Sequence, residues 1–356
     1  MTKVFDAKIF NAEAFGKYIK TIPETTKTEL VRSGAIKNSE EIYNLFQGQV
    51  NSYYGRIPYY GILGGDPVNY DGSTNIESDS MDTFDRGVLA YGRAKAWTEK
   101  DFSYDVTSGV DFMDQVGVQV ARFWEKIDQK VLMAILEGVF AMTTPKQNKD
   151  FVESHTFDIS KNVPTKGKVA EDTLNNAIQK ACGDNKDAFT LVIMHSQVAT
   201  NLENINLMKR LTQTDANGIT RELSLGTWNG KLVLIDDSMP TKSASKVGEG
   251  DTEIPAGVEY TTYMLGSGAI EFGALPVKVP YEMDRNPSKN GGEDTLYTRR
   301  RNYIGVNGIS YENKSQASLS PTNEELKNPA NWTLVNNGTN WIDAKAIPMA
   351  RIVSRG

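Results

Sequence analysis

The stretch from Asp111 to Met142 constrains the fold more than any other part of the chain, because its apolar residues recur every three or four positions. They are Val116, Val120, Phe123, Ile127, Val131, Ile135 and Val139. This spacing places them on one face of a helix. Asp111 suits the N-cap, Asp114 lies in the first turn where the helix dipole favours an acid, and Pro145 follows the predicted end. A helix of about 30 residues is roughly 45 Å long, so it spans a whole domain.

Two segments precede this helix. Residues 1–50 contain one plausible helix, from about 39 to 50, and bury little by themselves, so we interpret them as an arm that packs on something else. Residues 51–105 are rich in Gly, Pro, Tyr and Asp. Residues 54–75 carry turn signals rather than the pattern of an element interior, whereas 88–97 alternates like a strand. An irregular excursion of this length indicates a function of its own.

Helices and strands alternate after the long helix. We expect a helix over 171–182 closed by Gly183, a strand over 188–194, and a helix that Ser196 caps. Asn229 and Gly230 form the signal of a two-residue hairpin turn before a strand over 232–235. Residues 240–257 are rich in Ser, Lys, Gly and Glu and predict a mobile loop, and 260–265 a further strand. Residues 146–275 therefore predict a mixed domain around a central sheet.

A long hairpin is predicted next, with strands over 276–284 and 296–309 and a glycine-rich tip between them. Arg299, Arg300 and Arg301 follow one another in its second strand, so at most two of them share a face. The last segment, 316–356, begins with a capped short helix near Thr322.

The sequence carries no recognisable catalytic, cofactor or metal motif. No nucleotide-binding loop or nucleophile elbow is present, and the single cysteine, Cys182, falls on the apolar side of a predicted helix. The histidines are His155 and His195; a hydrolase that uses His195 is the alternative from a different class. Calcium binding by the acids between 71 and 85 and nucleic-acid contact by the arginine run remain open, although the EF-hand pattern is not matched.

Composition bounds the possible partners. The 356 residues carry a net charge of −6, which argues against a chain that is basic throughout and binds nucleic acid with its whole surface. No run of about 18 apolar residues occurs, so we expect no membrane partner. One cysteine excludes an intramolecular disulfide framework and fits a reducing compartment.

Several passages, taken in order, resemble the major capsid proteins of tailed bacteriophages, which share the Hong Kong 97-type shell fold. The most specific passage is 225–240, with its loop, hairpin turn, apolar strand, aspartates and proline. The others are 120–132, 174–198, 263–270, 320–323 and 331–332. The resemblance implies an α+β fold with an N-terminal arm, an extended E-loop, a peripheral domain with a long spine helix, and an axial domain with a central mixed sheet.

In the terms of this family, residues 1–50 correspond to the N-terminal arm and 51–105 to the E-loop. Residues 106–145 correspond to the spine helix of the peripheral domain, 146–275 to the axial domain, 276–315 to the peripheral hairpin, and 316–356 to a return into the axial domain. The implied function is a shell of hexamers and pentamers that encloses phage DNA, part of the virion and assembled in the host cytoplasm. An encapsulin-like nanocompartment shell is the nearest alternative.

The resemblance also implies partners and a contact. Because the arm is short, we expect a separate scaffolding protein, together with a portal and non-specific contact with packaged DNA. The E-loop of this family lies over the peripheral domain of a neighbouring subunit. We therefore expect acids of the loop to meet arginines of the hairpin, whose planar forks suit carboxylates. The residues of this expected inter-subunit contact are Asp79, Asp82, Asp85, Arg285, Arg299 and Arg301.

Overall fold

The computed structural model describes residues 33–48, 52–61, 66–76, 81–100, 112–163, 165–214, 220–248 and 253–356. The helices are α1 Glu40–Gly48, α2 Phe112–Val139, α3 Lys146–Ser154, α4 Thr173–Cys182, α5 Ser196–Asn204 and α6 Asn323–Lys327. The first strands are β1 Ile36–Lys37, β2 Tyr54–Tyr60, β3 Thr83–Lys100, β4 Thr156–Asp158, β5 Phe189–Met194, β6 Met208–Thr214, β7 Thr220–Trp228 and β8 Lys231–Ile235. The others are β9 Thr241–Ala244, β10 Gly257–Gly266, β11 Ile270–Leu275, β12 Tyr281–Asn286, β13 Glu293–Val306, β14 Ile309–Tyr311, β15 Trp332–Leu334 and β16 Met349–Ser354.

The predicted long helix is confirmed as α2, which has 28 residues. Residues 131–139 are buried apart from the half-buried Glu137, and Val131, Ile135 and Val139 are fully inaccessible to solvent. Near its end, a Cβ on Gly138 would lie 2.2 Å from the carbonyl oxygen of Leu326. Glycine therefore allows the tail helix α6 to pack directly on α2. The predicted cap Asp111 lies outside the described residues, and the side chain of Asp114 is not described.

The first sheet has eight strands arranged around the long strand β13. One edge of β13 pairs with β3 from Glu293 to Ile304. The other edge pairs with β12 and then with β11. The chain turns after Val306, where Gly308 has a φ of 75°, and β14 begins at Ile309. The predicted strand 296–309 is therefore two strands, and the predicted strand 276–284 begins only at Tyr281.

The prediction of an irregular excursion over 54–60 was wrong. These residues form β2, which pairs with β3 from Tyr54 opposite Leu89 to Tyr60 opposite Thr83. Proline is compatible with a strand that has only one neighbour, because its missing N–H can face the unpaired edge. Pro58 stands in β2, whose only partner among the described strands is β3. The connection between the two strands, 61–82, is the part of the excursion that lacks regular structure in the described residues.

The two faces of the first sheet have different neighbours. Leu296 packs with Trp124 of α2, so the even-numbered side chains along this part of β13 face α2. Tyr303 packs with Ile42 and Phe46 of α1, so the odd-numbered side chains face the opposite way. A helix therefore lies against each face, α2 on one and α1 on the other.

The second sheet runs in the order β4, β16, β10, β5, β8, β7 and β6, with β9 also paired to β10. β5 and β8 are parallel, and Leu191, Val192 and Ile193 of β5 are fully buried. The predicted turn at Asn229 and Gly230 is confirmed by positive φ angles of 50° and 77°. Gly183 closes α4 as predicted, with a φ of 63°.

Two predictions for this part of the chain were wrong. Residues 240–257 are more ordered than expected, because β9 pairs with β10 and Val247 bridges to Ile254. His195, rather than Ser196, caps α5, since its ring nitrogen accepts the N–H of Gln197 at 3.1 Å. β11, which lies in the predicted axial segment 146–275, joins the first sheet. β16, which lies in the predicted C-terminal return 316–356, joins the second sheet. None of the helices that the structure describes is long and apolar enough to cross a membrane.

Candidate assembly surfaces

The base of the β2–β3 hairpin is fastened to the first sheet by an ion pair between a buried arginine and a half-buried glutamate. Arg86 of β3 is 4% exposed and pairs with Glu271 of β11. Its guanidinium also donates to the carbonyl oxygen of Val306 at 3.4 Å. Tyr59 lies beneath the same guanidinium and donates a hydrogen bond to Asn307 at 2.8 Å. An unpaired charge at such a buried site would be costly, so this pair fixes how the hairpin leaves the sheet.

Close backbone contact fastens the other side of the hairpin. A Cβ on Gly87 would lie 2.0 Å from the carbonyl oxygen of Tyr311 in β14. The N–H of Gly87 donates to the hydroxyl of Ser310 at 2.7 Å. Arg56 of β2 adds an exposed ion pair with Glu312 at 2.8 Å. The hairpin is therefore held at its base from both sides.

The loop at the far end of this hairpin exposes apolar and acidic side chains together. Tyr70 is 92% exposed and Ile76 is 76% exposed, which is unusual for side chains of this size. Asp82 accepts the side-chain N–H of Asn340 at 3.1 Å, and Asp85 is exposed. The predicted contact residue Asp79 lies outside the described residues. Large exposed apolar side chains on a loop that also carries acids are typical of an interaction surface.

The predicted arginines lie in the β12–β13 hairpin, but not on one face. Arg299 pairs with Glu282 at 2.9 Å, and Arg301 stacks over the ring of Tyr53 at 5.0 Å from its centroid. Both lie on the face turned away from α2. Arg285 pairs in register with Asp294, 2.7 Å away, on the face that α2 covers. As the sequence predicted, Arg300 is also separated from its neighbours in the run; it lies over Trp124 of α2.

Within one chain, the loop acids and the hairpin arginines lie far apart along β3. Arg301 is opposite Gly92, Arg299 is opposite Ala94, and Asp294, the partner of Arg285, is opposite Glu99. At about 3.3 Å per residue, Asp85 is roughly 23, 30 and 46 Å along the strand from these three positions. Asp85 therefore cannot reach these arginines within one chain.

No described histidine is arranged for hydrolysis. Ser196 Oγ at 3.5 Å and Asp237 Oδ1 at 3.8 Å both approach the same nitrogen of His195, Nδ1, which already caps α5. A catalytic triad needs the serine on one ring nitrogen and the acid on the other. Burial lowers the pKa of His155 to about 4 and raises that of the Cys182 thiol. In the part of the chain that the structure describes, no three His, Cys, Asp or Glu side chains converge on a possible metal position.

Some residues of these surfaces were not anticipated. The Arg86–Glu271 pair joins strands far apart in sequence, and only an unexpected arginine within an apolar strand hinted at it. Arg122, Lys126 and Lys130 of α2 recur every fourth residue, so their common face was readable from the sequence.

Solved structures of phage capsids share the fold of this chain. The capsid of cyanophage Pam1 matches with a TM-score of 0.52 and 11% identity, over 100% of this chain and 97% of that chain. The capsid of Ralstonia phage GP4 matches with a TM-score of 0.51 and 11% identity, over 77% of this chain and 83% of that one. At such identities the likeness establishes the fold, which is the Hong Kong 97-like fold of phage capsid proteins.

The sequence comparisons give the family. The profile of the major capsid protein 13-like family matches residues 93–340. The major capsid protein of Bacillus phage SPP1 is 27% identical over 335 residues, which cover 94% of each chain. This chain belongs to the major capsid protein 13-like family. It is a structural protein of the tailed-phage head shell and a component of the virion, and it is not an enzyme.

Proposed function

We propose that the chain assembles as hexamers and pentamers into an icosahedral shell, in which the loop of one subunit contacts the β12–β13 hairpin of its neighbour. In this proposal 1–50 is the N-terminal arm, 51–105 the E-loop, 106–145 the spine-helix segment, 146–275 the axial domain, 276–315 the peripheral hairpin and 316–356 the return. A portal, a separate scaffolding protein and packaged DNA are its further partners, and assembly takes place in the host bacterial cytoplasm.

The distance along β3 between Asp85 and the hairpin arginines supports the proposed contact, because a single chain cannot make it. Arg299 and Arg301 lie on one face, and the bond from Arg299 to Glu282 is half-exposed, with side-chain exposures of 38% and 53%. An exposed pair of this kind contributes only about 0.2–1 kcal/mol, so a neighbour's carboxylates can replace Glu282 at little cost. Asp82 and Asp85 supply such carboxylates, and Asp79 is predicted to join them. Arg285, on the other face and paired with Asp294, braces the hairpin tip.

Repetition makes these weak contacts sufficient. Each loop-to-hairpin contact recurs at every subunit boundary, and contacts that form together act as one multivalent interaction. The exposed Tyr70 and Ile76 provide apolar area that a monomer would leave in water. The acids and arginines then fix the register of the contact, while burial of the apolar side chains provides most of its free energy.

Charge reversal tests the contact. Asp82→Lys with Asp85→Lys should reduce shell yield in sedimentation assays, because lysines then face Arg299 and Arg301. Adding Arg299→Glu and Arg301→Glu should restore part of that yield. The matched control reverses two exposed acids on α3, Asp150→Lys with Glu153→Lys, whose side chains are 55% and 65% exposed.

The contact is wrong if the loop variant assembles as well as the control, or if the four-residue variant is worse than either pair alone. Asp85→Lys by itself checks that loss of the Asp82–Asn340 bond does not explain the result, and it should reduce the yield in the same direction.

A further inference from the structure

Between Val120 and Lys130 of α2, the exposed residues are Arg122, Lys126 and Lys130, and all three are basic. They recur every fourth residue, so they lie on one face of the helix about 6 Å apart. We call these three residues the basic stripe. It is unexpected in a chain whose net charge is −6.

Two acids of the same helix, Asp128 and Glu137, are engaged with other parts of the chain. Asp128 accepts hydrogen bonds from Tyr91 at 3.2 Å and Asn302 at 3.0 Å, beneath the helix. Glu137 pairs with Lys327 of the tail at 3.2 Å. Among the ion pairs between described residues, none involves a member of the basic stripe. The helix therefore presents three cations to solvent on the face opposite the half-buried Asp128.

We infer that the basic stripe lines the inside of the shell and contacts the phosphodiester backbone of packaged duplex DNA. This inference rests on the proposed shell and names the surface of the subunit that meets the DNA. Duplex DNA carries one negative charge per about 1.7 Å of its axis, so three cations within about 12 Å each reach a separate phosphate. Arg and Lys contacts to phosphate carry no sequence information, as packaging of a whole genome requires.

A protein partner fits this surface less well. The cores of protein interfaces are enriched in aromatic residues and depleted of lysine, whereas every exposed side chain from Val120 to Lys130 is a long cation. The opposite face of the sheet is mixed in charge, because Arg299 lies there beside Glu282. The two faces therefore have separate roles, with DNA on the α2 face and the neighbouring subunit on the other.

The salt dependence of DNA binding tests the inference. A labelled duplex of about 30 base pairs is titrated with the purified, unassembled subunit between about 50 and about 200 mM NaCl. Three phosphate contacts contribute roughly −2.7 to the slope of log affinity against log salt, which is about a 40-fold loss over this range. In the variant that combines Arg122→Gln, Lys126→Gln and Lys130→Gln, the affinity for DNA should fall less steeply with salt, because this contribution to the slope is absent. Glutamine retains helix propensity, so the fold is kept.

The matched control is Lys161→Gln, Lys168→Gln and Lys186→Gln, which removes three exposed charges from the second-sheet part of the molecule. Its affinity for DNA should depend on salt with the same slope as that of the unchanged protein. Each single stripe substitution should reduce the magnitude of the slope by about 0.9. Equal slopes for the stripe variant and the unchanged protein would overturn the inference.

Loss of shell assembly by the stripe variant, with DNA affinity unchanged, would overturn it as well and would assign the stripe to an acidic protein partner. Failure of the unchanged protein to form shells would instead contradict the proposed function, so the two failures are distinguishable.

Discussion

At the scale of single residues, the described structure places polar groups at a few buried positions with defined tasks. Arg86 and Glu271 fix the base of the hairpin, and Asp128 ties α2 to β3 and β13 through Tyr91 and Asn302. His155 is different, because it is 1% exposed and its ring lies 4.4 Å from that of Phe151. Such a site accepts the neutral imidazole and resists its protonation.

His155 makes the subunit sensitive to acid. Burial lowers its pKa to about 4 in the folded chain, against about 6.5 when unfolded. Its contribution to stability is therefore complete above about pH 6.5 and is lost as the pH falls from about 6.5 to about 4. The loss amounts to about 3 kcal/mol, at roughly 1.4 kcal/mol per pKa unit.

Urea unfolding of the unassembled subunit at about pH 7 and about pH 4.5 measures this effect. His155→Gln removes the titrating group, so the variant should lose about 2.5 kcal/mol less than the unchanged protein between these two pH values. An identical loss in both proteins would show that His155 does not take up the proton on unfolding.

At the scale of elements, some helices and turns follow from the local sequence, whereas some strands exist only because they pair with a distant part of the chain. α2 followed from the spacing of its apolar residues, and the turn at Asn229–Gly230 followed from local chemistry. β2 did not, because Gly55 and Pro58 are typical of turns and only pairing with β3 makes 54–60 a strand. The alternation of Arg299, Arg300 and Arg301 between faces was predictable. The placement of Arg285 was not, since the register of β12 against β13 determines it.

The burial of α2 gives a prediction for its core face. Val131 is fully buried, and Val131→Asp would place an uncompensated carboxylate in the main core, at a cost of several kcal/mol. Ile127, which the sequence also placed on this face, is only half-buried, so Ile127→Asp should cost less. Lys130→Asp, one residue away on the exposed face, is the matched control and should cost less than about 1 kcal/mol.

Thermal unfolding of the soluble subunit provides the comparison. We expect Val131→Asp to unfold at a far lower temperature than the control, or to accumulate as insoluble protein. A Val131→Asp subunit as stable as Lys130→Asp would mean that the helix is rotated relative to the structure described above.

At the scale of the whole molecule, the chain has a well-formed core and also surfaces that suit other molecules. The two sheets and α2 bury their own apolar residues, whereas the loop exposes Tyr70 and Ile76. The order of elements was readable from the sequence and from its resemblance to phage capsid proteins. The separation of loop acids from hairpin arginines was not, because it depends on how β3 runs along β13. Because of that separation, the contact that we propose joins two subunits and not two segments of one chain.

Electron microscopy of the purified protein, alone and with its scaffolding protein, tests the central claim most directly. We predict closed icosahedral shells built of hexamers and pentamers, with the 61–82 loop of each subunit lying over the β12–β13 hairpin of its neighbour. A protein that stays monomeric under every condition, or that forms shells in which this loop contacts only its own chain, would contradict the account.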